Sequence, residues 1–252
     1  RYDAFDRAIS SAHAEGNDQV SIRYDTHAPI TPTGQTTTSP IFENTITNSL
    51  GQKTIYRYHI AGMDYQLLSV MGAGCRTCGE TNVRYAYNTQ GQIKTKQYLN
   101  DNGEVIRTDQ YQYNAQQQLR YENIQWVGQP AQELFYEYQL INPQDPASWR
   151  LSQVRRPSVY AGHWARMSYQ YSPQGLLTRK TQTGYHPNGQ PLLRQIDYGY
   201  DTQGRLIWEN GALPDAPNAP LKSDIQVYRY DAHGRLKQLL QPAQQASISI
   251  ER

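Results

Sequence analysis

The sequence predicts an all-β chain, an array of antiparallel β-hairpins, and three observations carry that prediction. Seven Tyr-x-Tyr pairs recur: Tyr56/Tyr58, Tyr85/Tyr87, Tyr111/Tyr113, Tyr136/Tyr138, Tyr169/Tyr171, Tyr198/Tyr200 and Tyr228/Tyr230. Their second members, at positions 58, 87, 113, 138, 171, 200 and 230, lie 29, 26, 25, 33, 29 and 30 residues apart. Such a period marks supersecondary units that each bury a face against a neighbour. Turn residues follow the pairs, and no long segment shows the 3.6-residue apolar period of a helix.

Tyrosines two residues apart share one face of a strand, so Arg229, between Tyr228 and Tyr230, faces the other way. Asp-x-x-Gly then closes the strand: the carboxylate accepts backbone N–H groups, and glycine tolerates a positive φ at the end of the turn. Arg and Leu resume the strand direction. The clearest copies are Tyr198-Gly199-Tyr200-Asp201-Thr202-Gln203-Gly204-Arg205-Leu206 and Tyr228-Arg229-Tyr230-Asp231-Ala232-His233-Gly234-Arg235-Leu236.

The other units vary on the same physics. His59-Ile60-Ala61-Gly62 keeps only the glycine of the expected tip. In Asn88-Thr89-Gln90-Gly91, Asn offers the same side-chain acceptor as Asp. Asn114-Ala115-Gln116-Gln117 lacks glycine, so Gln117 must adopt a strained dihedral or the tip must use another turn. Ser172-Pro173-Gln174-Gly175 places Pro at the second turn position, where a type I turn favours it. Asn100-Asp101-Asn102-Gly103 and Tyr185-His186-Pro187-Asn188-Gly189 read as return turns between units. Proline-bearing stretches near 27–40, 142–148 and 211–220 are poor central strands and read as loop insertions.

These residues resemble the YD-repeat, or rearrangement hotspot (Rhs), family, whose pattern is close to Tyr-x-Tyr-Asp-x-x-Gly-Arg-Leu. Tyr198, Tyr200, Asp201 and Gly204 match it, as do Tyr228, Tyr230, Asp231 and Gly234. Tyr24-Asp25 and the opening Arg1-Tyr2-Asp3-Ala4-Phe5-Asp6-Arg7 match in part. The resemblance spans nearly the whole chain. It implies a β-ribbon that spirals into a hollow shell around an unfolded or toxic segment, as in insecticidal toxin complexes, polymorphic toxins and teneurins. For this chain it implies a curved or spiralling sheet, a partial shell, exported to the bacterial envelope or beyond. The Asp-Pro-rich, self-cleaving closing segment of cargo-releasing members does not occur here. The chain opens inside a repeat without Met or a signal peptide, and so reads as a segment of a larger protein.

Composition fits a Tyr-based packing face. Hydrophobic residues make up 37% of 252 positions and mean hydropathy is -0.81, but 21 Tyr supply large amphipathic rings. The aromatic spacing argues against disorder. A net charge of +2, with both signs interspersed, points to no nucleic-acid partner. Arg155-Arg156 and Arg179-Lys180 are the densest basic spots and read as solvated strand ends. No apolar run is long enough to cross a bilayer.

Candidate chemistry is sparse. Cys75-Arg76-Thr77-Cys78 is the sole cysteine group, and a similar glycine-flanked pair precedes a repeat in some YD-repeat proteins. Export would make Cys75–Cys78 a structural disulfide; reduced thiols, a metal site completed by His59 or His163, and redox chemistry are the alternatives. His13, His27, His59, His163, His186 and His233 fall in no nucleophile-elbow or metalloprotease motif. Glu133 and Glu137 read as solvent-facing strand charges. Single Asp residues at the tips supply too few ligands for calcium, and Asn100–Glu104 is the only dense oxygen cluster. The expectation is a non-catalytic β-scaffold without metal or cofactor, acting by containment or display. Its partners would be flanking repeats of the same larger protein and an enclosed polypeptide. The alternative is a cell-surface module whose exposed rings stack on glycans.

Overall fold

The computed structural model describes residues 1–13, 19–26, 40–73, 80–211, 224–241 and 246–249. They form eighteen strands and no helix, as the tyrosine periodicity requires. The chain divides into two compact units, Arg1–Gln112 with Glu122–Ala131, and Tyr113–Tyr121 with Gln132–Arg252.

The first unit holds β1 (Ser10–Ser11), β2 (Val20–Thr26), β3 (Ile41–Thr47), β4 (Lys53–Ala61) and β5 (Asp64–Gly72). It continues with β6 (Val83–Tyr87), β7 (Ile93–Leu99) and all but the last residue of β8 (Val105–Tyr113). β9 (Leu119–Trp126) is divided between the units. The second unit holds β10 (Gln132–Leu140), β11 (Trp149–Pro157), β12 (Trp164–Tyr171), β13 (Leu177–Tyr185) and β14 (Pro191–Tyr200). β15 (Leu206–Asn210), β16 (Ile225–Tyr230), β17 (Leu236–Gln241) and β18 (Ala246–Ser249) complete it. From β1 to β8, and again from β10 to β18, each strand pairs antiparallel with the next in sequence.

One five-residue turn recurs at both ends of the hairpins. In Asp201–Arg205 the first and last residues bond through Asp201 N–H to Arg205 C=O (3.0 Å), and Gly204 N–H donates to Asp201 C=O (3.0 Å). Asp201 Oδ1 accepts the N–H groups of Gln203 and Arg205, both at 2.9 Å. Asp3–Arg7, Asn48–Gln52, Asn88–Gln92, Asn100–Glu104, Asn114–Gln118 and Asp231–Arg235 repeat all four bonds. Ser172–Leu176 repeats them through Ser172 Oγ. The fourth position takes a positive φ in each: +78° at Gly204, +77° at Gly234, and +64° at Gln117, which settles the open choice at that tip in favour of the strained dihedral.

First and fifth side chains are matched. Asp3, Asp201 and Asp231 pair with Arg7, Arg205 and Arg235. Asn48, Asn88, Asn100 and Asn114 instead donate Nδ2–H to Gln52, Gln92, Glu104 and Gln118. A carboxylate thus meets a cation and an amide meets a carbonyl or carboxylate, so each turn satisfies its own polar atoms.

A register break follows the turn by one residue. Tyr200 pairs with Leu206 but Gly199 with Trp208, leaving Ile207 as the extra residue of a β-bulge. The same break precedes Tyr58, Tyr87, Tyr138, Tyr171 and Tyr230.

Two details differ from expectation. The β4–β5 tip lies beyond His59–Gly62: Ala61 pairs with Asp64, leaving Gly62 (φ +66°) and Met63 as a two-residue loop. That geometry needs positive φ only at its first position, so no Asp-type acceptor is required. His59 accordingly lies on β4, where its Nε2 is 2.9 Å from Gln66 Oε1. The proline stretch 142–148 connects β10 to β11, with Ser148 buried and its Oγ donating to Asn142 and Asp145 carbonyls while accepting Asn142 N–H. Stretches 27–39 and 212–220, and the Cys75–Cys78 pair, lie outside the described residues.

Candidate functional site: the tyrosine face

All fourteen paired tyrosines are half-buried, while Arg57, Gln112, Glu137, Gln170 and Arg229 between them are exposed. Alternation therefore places the rings of every pair on one face of the ladder. Among residues described in the first unit, Ile41, Leu68, Val70, Val83 and Leu99 form a small buried core. None of the described hydrophobic side chains of the second unit is fully buried.

The second tyrosine of a pair has a distinct task. Tyr230 Oη donates to Leu206 C=O, Tyr200 Oη to Leu177 C=O, Tyr171 Oη to Leu151 C=O and Tyr138 Oη to Leu119 C=O, at 2.8–2.9 Å. In the first unit Tyr87 reaches Leu67 (2.8 Å) and Tyr24 reaches Ala8 (2.9 Å). Leu206, Leu177, Leu151 and Leu67 are themselves the strand partners of Tyr200, Tyr171, Tyr138 and Tyr58. Tyr230, Tyr200, Tyr171 and Tyr87 thus each clasp the residue opposite the previous pair's second tyrosine. The acceptor is the carbonyl of the residue paired with the preceding tyrosine, so the clasp satisfies a main-chain group while tying one hairpin to the next. Tyr198, Tyr200, Tyr228 and Tyr230 are therefore brought together as sequence spacing implied. What the spacing could not show was the leucine carbonyl, because its place beside the next hairpin's tyrosine depends on cross-strand register.

Charges embedded in this face are compensated. Asp109 is 1% exposed and accepts two bonds from Arg107, each at 2.6 Å, with Tyr111 Oη at 3.4 Å. Burial, reinforced by the Asp109 carboxylate, raises the Tyr111 phenol well above its ordinary range. Arg107 also lies over the Tyr98 and Trp126 rings (4.6 and 5.3 Å). Lys96, paired with Glu80 at 2.7 Å, stands opposite Asp109 and Tyr85. The sequence signal for this group was Arg107-x-Asp109-x-Tyr111, whose period of two puts all three on one side of β8. In the second unit Glu209 stands opposite Tyr198, and burial followed by this carboxylate raises Tyr198, Tyr200 and Tyr228.

In the first unit the tyrosine face lines a hollow of about 680 Å³, bounded by Tyr24, Phe42, Tyr56, Tyr58, Tyr65 and aliphatic neighbours. Phe42 and Tyr58 stack at 5.5 Å, and Tyr65 meets Tyr58 edge-on at 5.6 Å. Three of the polar groups around it are engaged within the chain: Arg7 with Asp3, Asp25 with Arg23, and Tyr58 Oη with Asn44 Oδ1.

The remaining candidates carry structural roles. Asn100 Oδ1 accepts two backbone N–H groups and its amide donates to Glu104, so these oxygens serve the turn. His186 heads a turn and His233 is the third residue of another. His163 packs between Tyr160 and Tyr185. Glu137 is exposed as expected, whereas Glu133 accepts a 2.6 Å bond from Tyr121 Oη across the ladder.

No family model and no curated protein sequence matches the chain. Among solved structures, it is similar to a chain of the TcdB2-TccC3-Cdc42 complex at 15% identity and a TM-score of 0.34, covering 83% of this chain. The Tc holotoxin pore of Photorhabdus luminescens gives 14% identity, a TM-score of 0.32 and 92% coverage. The chain spans about 15% of the length of either toxin-complex chain. A porin-like protein from Bacteroides uniformis gives 9% identity and a TM-score of 0.40, over 91% of this chain and 93% of that one. Scores of this size fall short of a shared fold, and the family likeness rests on the repeat residues themselves.

Proposed function

We propose that the chain is a non-catalytic YD-repeat scaffold, exported as part of a larger protein, whose tyrosine face forms wall surface for containment or display. The observation that supports this most is the file of tyrosine clasps. The phenols of Tyr87, Tyr138, Tyr171, Tyr200 and Tyr230, which a binding site would use to hold a ligand, instead bond carbonyls of the previous hairpin. The rings are half-buried between strands rather than presented as open platforms, which favours a wall over glycan recognition. Flanking repeats of the same protein are then the first partners, and a loosely held polypeptide is the second.

A glycan array probed with the intact chain separates the two readings. The scaffold reading expects no saturable sugar signal. Saturable retention of a glycan that Tyr56→Ala abolishes, with the fold preserved by circular dichroism, would replace it with the recognition reading.

A further inference from the structure

The basic doublet Arg155-Arg156 does not act as a doublet. Strand alternation sends Arg156, exposed, to the tyrosine-bearing face with Val154 and Tyr136, and Arg155 to the opposite face, which carries Phe135 and Trp164. There Arg155 stands directly opposite Arg166 on β12. Two like charges in a directly opposed pair disfavour each other. Among the described residues neither guanidinium has an ion-pair partner, although eight other pairs form.

Two further observations describe how Arg155 is held. Arg155 Nε is buried and has no acceptor, an unsatisfied donor of the kind folded proteins rarely tolerate. Its guanidinium is also held in place, with Phe135 at 4.9 Å and Trp164 at 5.1 Å, so the fork is oriented before any ligand arrives. The acids on this face, Glu133 and Glu137, stand two residues either side of Phe135; Glu133 is engaged by Tyr121, and Glu137 is exposed. Thr183, opposite Arg166 on β13, adds a hydroxyl beside the pair.

We propose that Arg155 and Arg166 form a binding site for a small oxyanion, a carboxylate or a phosphate. A planar or tetrahedral oxyanion held by the terminal N–H groups of the two forks removes the repulsion between the cations. This goes beyond the scaffold role and does not depend on it.

The test titrates the intact protein with sodium phosphate and, separately, sodium acetate, at constant ionic strength set by chloride. The readouts are the arginine Nε–Hε resonances and the melting temperature. The expected result is saturable movement of one Nε–Hε resonance with either or both anions, the two arms telling phosphate from carboxylate. Arg166→Gln should weaken binding at least tenfold, and without anion should melt no lower than the parent. Arg156→Gln, on the other face, should bind as the parent does. No saturable response beyond chloride, or equal binding by Arg166→Gln, overturns the site.

Discussion

Gln117 is a non-glycine residue held at φ +64° in a position that every other such turn except Asp3–Arg7 gives to glycine. Its neighbours fix the turn through Asn114, so the dihedral is imposed by the surrounding bonds. Replacing Gln117 by Gly should raise unfolding free energy by about 1 kcal/mol, because the left-handed region costs a β-carbon about that much. Urea denaturation reads the change, and a loss of stability would contradict the turn. The converse holds at Gly204 and Gly234, where valine should cost about 1–3 kcal/mol. The turn carboxylates carry a pH signature. Backbone N–H donation from the fifth residue, joined by its arginine, holds Asp3, Asp201 and Asp231 below the ordinary value of 3.8. The unfolded chain therefore binds these protons more readily, so their stabilisation is present above about pH 4 and fades as pH falls through the lowered folded values. The double variant Asp201→Asn/Asp231→Asn, whose amides still accept the turn N–H bonds, should lose less stability between pH 5 and pH 2 than the parent. Equal acid loss in both proteins would show that these carboxylates titrate normally.

At the scale of the element, the hairpin was readable from Tyr-x-Tyr and Asp-x-x-Gly because both are local: one rests on strand alternation and the other on a side chain bonding its own backbone. The clasp was not readable, since Leu206 accepts from Tyr230 across two hairpins, 24 residues apart in sequence, a meeting that only the cross-strand register sets. The two-residue tip at Gly62–Met63 was missed because Asp64 follows the glycine, whereas the pattern searched for an acceptor before it. Gly199 escaped notice for a similar reason. A β-carbon there would collide with the Trp208 indole lying across it, a contact set by cross-strand register. The clasp predicts a division among the tyrosines. Tyr171→Phe, Tyr200→Phe and Tyr230→Phe should each cost about 1 kcal/mol, the net worth of one hydrogen bond. Tyr169→Phe and Tyr198→Phe, which lack such a bond, should stay within about 0.5 kcal/mol of the parent. Equal costs in the two groups would remove the clasp from the account.

For the whole molecule, the sequence conveyed an array and not its division into two units, because the tyrosine period runs through residues 112–132 without a break. The candidate site was legible only as a row of rings; the buried Arg107–Asp109 pair and the opposed Arg155 and Arg166 emerge once strands are in register. If repetition is the organising principle, each unit should depend on its immediate neighbours alone. The most direct test removes residues 172–200, one full period of 29, joining Tyr171 to Asp201 so that Tyr169-Gln170-Tyr171 runs straight into the next turn. Leu206 would then stand opposite Tyr171 and still accept from Tyr230. A matched deletion of 172–185 removes β13 and its turn alone, reversing the direction of every later strand. The first deletion should give a β-rich, cooperatively unfolding chain and the second should collapse, by circular dichroism through urea denaturation. Loss of folding in both alike would contradict the repeat organisation.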